Sequence, residues 1–485
     1  KGVIAAAQSV AATLNNLSDG IQSLRTSVED QISQQTSDAN SALQTIALLN
    51  EKIRLAGTTP DPDLLDRRDA ALKTLSSLMD VTITEASNGS VSVSLRNGTS
   101  LLDETGARRL SFDSHSPLTA QSVYDPLPSK RSVGAISLLS TDGVKIDLIA
   151  TGALRNGSIG GLIDLRDRML VSAQSQIDDI AAGLSSALSD NEIQSTDVGG
   201  GKDISLAGLL PGNRLSLSYK DAQGQSHKIT IIRVDDPSKL PLPASMSSDP
   251  NEQVVGVSMK DTTTGAIAGA IQSAVNVTGL NFTASSDGAL HVGATSPVTL
   301  TSLTAHVTAT SLTGSGTALP LFIDGGKPPV PFTDSLDGTP QRLGFSSRIV
   351  VNPALVADST YLTNYTGAGG SLGDAARPTD LVNRLDNVTV LSSPSSNLGL
   401  GSTPVTLSQL IQQTFVVQAS EIQRVNDNND NQKTVQAAID SRFSSTAGVQ
   451  MDVELADMTE LQNAYTANAR VLSTIKDMFD ILMRI

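Results

Sequence analysis

From Val10 to Ile53 the apolar and small positions fall at alternating steps of three and four: Val10, Leu14, Leu17, Ile21, Leu24, Val28, Ile32, Gln35, Ala39, Ala42, Ile46, Leu49, Ile53. One pair of successive four-residue steps, Leu24–Val28–Ile32, interrupts the rhythm. The spacing predicts a long helix with a narrow seam, roughly 80 Å at 1.5 Å per residue, ending at Gly57 and Pro60. A second helix is expected from Asp61 to Met79, after which "VTITEASNGSVSVSLRNGTSLL" alternates with period two around Asn88-Gly89 and Asn97-Gly98, a strong hairpin signal. Helical spacing returns over 158–190 through Leu162, Leu165, Met169, Ile177, Ile180, Leu184 and Leu188. Residues 191–345 are rich in Gly, Ser, Thr and Pro and carry alternating runs such as "HKITIIRV", as expected of an exposed β-rich insertion.

The pattern divides the chain into an N-terminal helical rod part (1–80), a small β-hairpin module (81–157), a helix returning to the rod (158–190), the insertion (191–345), a connector packing on the rod (346–403), a further helical part (404–450) and a closing helix (451–485). The fold class expected is α+β multidomain, with an antiparallel helical rod made from both chain ends and β-rich domains between them. A seam on one terminal helix requires another helix to cover it.

The closing segment has a core series Met458, Leu461, Tyr465, Asn468, Leu472, Ile475, Phe479, Leu482 and a second line Ala464, Val471, Met478, Ile485. Two such lines give the helix two faces to bury, so it is expected to order against partner helices. Asn468 inside an apolar seam costs stability and specifies register.

Composition narrows the function. Aromatics are 3% of the chain and Trp is absent, so packing relies on Leu, Ile, Val and Ala. A net charge of −15 argues against nucleic acid or an anionic membrane as partner. With no cysteine, disulfides, thiolate nucleophiles and Cys-based zinc sites are excluded. No long apolar run or signal-peptide pattern stands out.

Candidate chemistry fails on spacing, so no catalytic residue, metal or cofactor is expected. "STDVGGGKD" lacks the first glycine of a phosphate loop, at Thr196, and has Asp203 where the Ser/Thr would stand. A calcium loop starting at Asp427 would need Gly at Gln432 and Glu at Ala438. His115, His227, His291 and His306 lie far apart, and Asp66, Arg67, Arg68 and Asp69 read as a solvated or interhelix charge cluster.

The end of the chain, through Glu454, Leu455, Leu461, Gln462, Tyr465, Ala467, Asn468, Ala469, Arg470, Val471, Phe479 and Asp480, resembles the C-terminal signature of bacterial flagellar axial proteins. "LLDRRDAALKTLSSLMDVTITEASNGSVSVSLRNGTSLL", "GSIGGLIDLRDRML" and "RIVVNPALVADSTYL" resemble the hook-associated protein 1 family within that group. The family begins with an N-terminal helix, and the sequence is expected to start downstream of it. The resemblance implies an extracellular structural adaptor at the hook–filament junction, exported by the flagellar type III route without a cleaved signal peptide. Implied partners are neighbouring copies, the hook protein, the second junction protein and a dedicated export chaperone at the C-terminal helix. A surface adhesin or glycan-binding role for the insertion is the alternative.

Overall fold

The computed structural model describes residues 2–57, 61–139, 144–242, 251–260, 262–314, 316–336, 339–365, 374–401 and 403–447, with positions 458, 459 and 462; side chains at 440 and 442–447 are outside the description. The chain forms two units, Lys1–Phe415 and Val416–Ile485. The fold class is α+β, with long helices toward both ends.

Helix α1 is one unbroken helix, Gly2–Ala56. Its inner face follows two heptad lines. Ile4, Ala11, Ser18, Arg25, Ile32, Ala39, Ile46 and Ile53 are all buried; beside them run Ala7, Leu14, Val28, Ala42 and Leu49, also buried, with Ile21 half-buried. The seam expected from the apolar pattern therefore needs correcting in its first half, because Val10, Leu17 and Leu24 are exposed, at 42%, 49% and 57%. No stutter exists. Of the three residues that suggested one, Leu24 is outside while Val28 and Ile32 are buried, and the small or polar Ala11, Ser18 and Arg25 keep the inner register.

After α1, helix α2 (Pro62–Leu78) starts at Asp61, whose carboxylate accepts from the Asp63 amide, with Pro62 where its missing N–H costs nothing. The α1–α2 pair packs through Ile46, Leu72, Leu75 and Leu78 onto a four-stranded meander, Val81–Glu85, Val91–Leu95, Ser100–Asp103 and Gly106–Ala107. Gly89 and Gly98, at φ +78° and +85°, make its first two turns. A three-stranded sheet, Leu110–Phe112, Ile136–Leu139 and Lys145–Asp147, completes this module.

The next helix has three parts: α3 (Gly157–Asp164), a π-helical turn Leu165–Met169, and α4 (Leu170–Ser189). Gly157 sits at φ +77° with Leu78 and Met79 so close that a Cβ would lie 2.6 Å from the Leu78 carbonyl oxygen, which accounts for the glycine opening "GSIGG".

The strand-built part of the insertion runs from Asp190 to Thr308. A five-stranded sheet has the order Glu252–Ser258, Ser226–Val234, Arg214–Lys220, Thr299–Thr308, Asp190–Gln194, the first two parallel and the rest antiparallel. A four-stranded sheet (Leu280–Ala284, Leu290–Ala294, Gly201–Ile204, Thr196–Val198) and helix α5 (Thr264–Val275) share its core. The insertion is thus shorter than 191–345. Leu319, Leu321, Phe322, Phe332 and Phe345 instead pack with Ile4, Ala7, Ala11 and Leu14 of α1 and with Ala181, Ala182 and Leu188 of α4.

Helices α6 (Pro353–Ala357) and α7 (Ala376–Asn387) follow in the connector, and α8 spans Leu407–Ala447. Leu407 and Leu410 are buried, whereas Phe415 is 71% exposed.

The root of the insertion carries a titration prediction. Asp190 follows α4 directly and pairs across the sheet with Thr308, whose hydroxyl donates to Oδ1 at 2.8 Å; Arg384 of α7 donates to the Asp190 carbonyl at 2.6 Å and to Asn191. Burial pushes the Asp190 carboxyl up to about 6, against the Thr308 hydroxyl and the Arg214 charge. Because the folded value lies above the unfolded one, near 4, its stabilising effect is complete below about pH 4 and lost as pH rises through about 6. Asp190→Asn stays neutral throughout. Between pH 4.5 and 7.5 the wild-type insertion is expected to lose on the order of 2 kcal/mol relative to the variant. Calorimetric melting of both chains at several pH values measures this, and parallel pH profiles would contradict it.

Candidate assembly surfaces

The candidate site is a set of surfaces held by α1. Polar side chains along that helix fasten the other modules to it, Asn50, Asn40, Asn15, Glu29 and Arg25 foremost. Asn50 pairs with Val91 in both directions, its amide donating to the Val91 carbonyl at 2.7 Å and its Oδ1 accepting from the Val91 N–H at 3.1 Å. Asn40 repeats the arrangement with Leu110, at 2.9 and 2.8 Å. Each asparagine acts as a short extra strand partner. Asn15 donates to the carbonyls of Ser346 and Ile349.

Between these lies a buried ionic cluster. Glu29 and Arg166 are both fully buried and bonded at 2.5 Å; the other oxygen of Glu29 accepts from Gly134 N at 2.8 Å and His115 N at 2.9 Å. Arg166 also forks onto Asp167, with both bonds 2.7 Å. Burial opposes the Arg166 charge, but Asp167 and Glu29 outweigh it and hold the guanidinium above the ordinary arginine range. Arg25, buried, donates to the carbonyls of Thr119, Ser122 and Arg166. Burial first, and the Arg166 charge in addition, pull Arg25 below that range, while Asp167 and Glu29 act the other way. The cluster ties the strap 113–134 to α1 and to the π turn. Gly134 admits no side chain, since a Cβ there would stand 2.4 Å from the Phe112 ring and 2.6 Å from Glu29 Oε1.

Apolar pattern reading missed these residues because they are polar positions on or beside a buried face. One signal was present: Ser18 and Arg25 continue the seven-residue register of Ile4, Ala11 and Ile32, and the "LRD" run supplies the fork.

The expected site residues divide. Leu14, Val28, Ile32, Ile46, Leu49 and Ile53 are core of the first unit. Val10, Leu17 and Leu24, with Val3 at 61%, form an open line at seven-residue steps on the outer side of α1. In the second unit Val416, Ile422, Val425, Val435 and Ile439 of α8 are exposed. Met458 is helical and 55% exposed. Leu461, Tyr465, Asn468, Val471, Leu472, Ile475, Met478, Phe479, Leu482 and Ile485 lie outside the described residues.

The rejected chemical motifs have structural places. Gly199 and Gly200 form the turn between Thr196–Val198 and Gly201–Ile204, where Lys202 pairs with Asp197. "VNDNNDNQ" is a continuous exposed stretch of α8, without the turn of a calcium loop. Arg68 departs from the solvated cluster, being buried and donating to the Gly89 carbonyl at the hairpin turn. His115 binds its own loop at the Asp113 carbonyl, His227 pairs with Asp221 and His291 with Asp203, and burial together with Arg214 and Lys228 pulls His306 down to about 4. No helix among the described residues is long and apolar enough to cross a membrane.

Residues 1–205 match the family model described as flagellar hook-associated protein FlgK helical domain, and residues 440–485 match that of the flagellar basal body rod FlgEFG protein C-terminal. By these two segments the chain is similar to flagellar hook and rod proteins. Its helical domain is of the FlgK-like, hook-associated kind. No curated protein matches it. A solved structure, the flagellar hook junction protein FlgK from Burkholderia pseudomallei, is similar at 20% identity over 63% of this chain and 51% of that chain, with a TM-score of 0.34. The chain thus spans about half the length of that protein.

Proposed function

We propose that the chain is a structural, non-catalytic subunit of the bacterial flagellum, an adaptor between hook and filament that assembles through its helices. The observation that carries this is the joining, in one chain, of a hook-associated helical domain at 1–205 with a rod-type C-terminal segment at 440–485. Two features support it physically. The bolted α1 suits a subunit that bears load, since its modules are fixed by buried polar bonds as well as by apolar packing. The open apolar line Val3–Val10–Leu17–Leu24 in one unit and the exposed Val416, Ile422 and Val425 in the other are apolar surface that a monomer gains nothing by exposing.

On this reading the partners are neighbouring copies, the hook protein and the second junction protein, with an export chaperone holding the C-terminal helix beforehand, and the protein acts outside the cell. Met458, Leu461, Tyr465, Asn468, Leu472, Ile475, Phe479 and Leu482, with Val471, Met478 and Ile485, are the proposed assembly and chaperone-binding face.

In a flagellated strain lacking the gene, the full chain is expected to restore filaments and to be found at the hook end. A chain cut before Val453 is expected to keep its β domains folded yet fail to be incorporated or to bind the chaperone. Normal incorporation of the cut chain would end this reading.

A further inference from the structure

Two crossings of the chain join the strand-built insertion to the helical body, and they lie side by side. Asp190 pairs across the sheet with Thr308, and the Ala309 N–H donates to the Ser189 carbonyl at 2.8 Å. On either side of this neck the apolar residues close into separate clusters, Leu215, Ile231 and Ala305 within the insertion and Leu188, Leu319 and Phe322 in the body. The joint itself is polar: Asn213 donates to the Thr308 hydroxyl at 2.9 Å, and Arg384 grips Asp190 and Asn191. Two adjacent strand ends without a shared apolar core form a pivot, so the direction in which the insertion points is set by contacts away from the neck.

One such contact lies where the turn 210–213 and Arg214 meet residues 333–335. Gly212, at φ +92°, comes so near that a Cβ there would stand 1.7 Å from the Ser335 carbonyl oxygen. Arg214 reaches the Asp334 carboxylate at 3.4 Å, while Arg342 holds that carboxylate at 2.8 and 3.2 Å and anchors it to Asp179 of α4. The closed contact is costly. Asp334 sits at φ +72°, in the left-handed region that a residue with a side chain enters only when its surroundings force it there. The buried Ser335 hydroxyl has no hydrogen-bond partner among the described residues. Against these costs stand a long, part-buried ion pair and one close backbone approach. Local strain and an unmet hydroxyl gathered beside a pivot mark a contact poised to open.

We propose that the meeting of Gly212 and Arg214 with residues 333–335 is a latch on the insertion. Closed, it fixes one orientation; open, the insertion swings as a rigid body about the Asp190–Thr308 neck while the helical body keeps its shape. Two orientations of an exterior domain suit a subunit placed between unlike neighbours, but the latch stands on the geometry of this joint and does not depend on that role.

With no cysteine in the chain, Ala12→Cys on α1 and Gln223→Cys at a turn of the insertion, both exposed, give the full-length protein two defined spin labels. Pulsed dipolar spectroscopy of this otherwise wild-type chain is expected to show one narrow distance. Asp334→Asn keeps a residue that tolerates the left-handed conformation and removes the charge. That change and Arg214→Gln are each expected to roughly double the width of the distribution or to add a second distance, whereas Arg214→Lys is expected to keep it narrow. Gly212→Ala, which drives a Cβ into the Ser335 carbonyl, is expected to open the latch without touching its charges. Hydrogen exchange through Ser226–Val234 is expected to stay at the wild-type level in every variant, which separates a swing from unfolding. A distribution unchanged in Asp334→Asn, Arg214→Gln and Gly212→Ala, one already broad in the wild-type chain, or broadening with faster exchange throughout the insertion would overturn the latch. None of these results bears on the adaptor role.

Discussion

Glu29→Ala is expected to lower the melting midpoint of the helical domain by about 10 °C, from a loss of about 3–5 kcal/mol. The residue has no exposed surface, and its two oxygens serve three donors: Arg166 Nη1, Gly134 N and His115 N. Truncation leaves the Gly134 N–H buried without an acceptor and leaves Arg166 beside the like charge of Arg25 with Asp167 as its remaining carboxylate. The cost therefore comes from abandoned partners more than from the value of the pair itself. A paired replacement separates the two terms. Glu29→Met with Arg166→Met removes both charges and is expected to cost clearly less than the sum of the single changes, because the two sites share one bond network. Calorimetry of the three variants decides it; a Glu29→Ala midpoint within about 2 °C of wild type would show that the cluster is not a stabilising hub.

The same cluster explains how far sequence reading reaches here. Helix α1, the Asn-Gly hairpins and the helical return at 158–190 were legible because each is written in local periodicity or turn chemistry. The inner face of α1 was legible from Val28 to Ile53, where apolar residues carry it apart from the buried Glu29 and Thr36. It was misread between Val10 and Leu24 because buried polar groups and small residues hold the register there: Ser18 donates to Gln174, while Arg25 is satisfied by three carbonyls. Hydrophobic patterning assumes that inside means apolar. Where a helix holds loops by reading their backbone groups, that assumption fails, and the exposed Val10, Leu17 and Leu24 then look like the seam. The early end of the insertion has a related cause: the strand composition continues past Thr308, but Leu319, Phe332 and Phe345 find their apolar partners on α1 and α4, a tertiary choice invisible to local pattern.

Phe345→Ala is expected to cost about 3–5 kcal/mol, as large aromatic truncations in closed cores do. Phe345 is fully buried and stacked on Phe332, with centroids 4.2 Å apart and planes inclined by 24°. What makes this site more than a filled hole is the backbone around it. Buried Asp178 of α4 accepts from Gly344 N at 2.7 Å, Ser346 N at 2.9 Å, the Ser346 hydroxyl at 2.6 Å and Gln174 at 3.0 Å. Asn15 of α1 takes the Ser346 carbonyl at 2.8 Å. The short helical turn is thus held from both sides and cannot collapse into the space left by the ring, so the cavity term should be near its upper range. Phe345→Leu keeps most of the volume and should cost no more than about 2 kcal/mol. Because the turn fastens residues 319–351 to α1 and α4, the loss should be seen first as faster amide exchange at Leu321, Asn352 and their neighbours, ahead of any change in the insertion's own sheets. Hydrogen exchange on the full chain tests the order. Exchange rising equally through Arg214–Lys220 and Ser226–Val234 would mean that the insertion depends on this core, contrary to the separate cluster that its residues form.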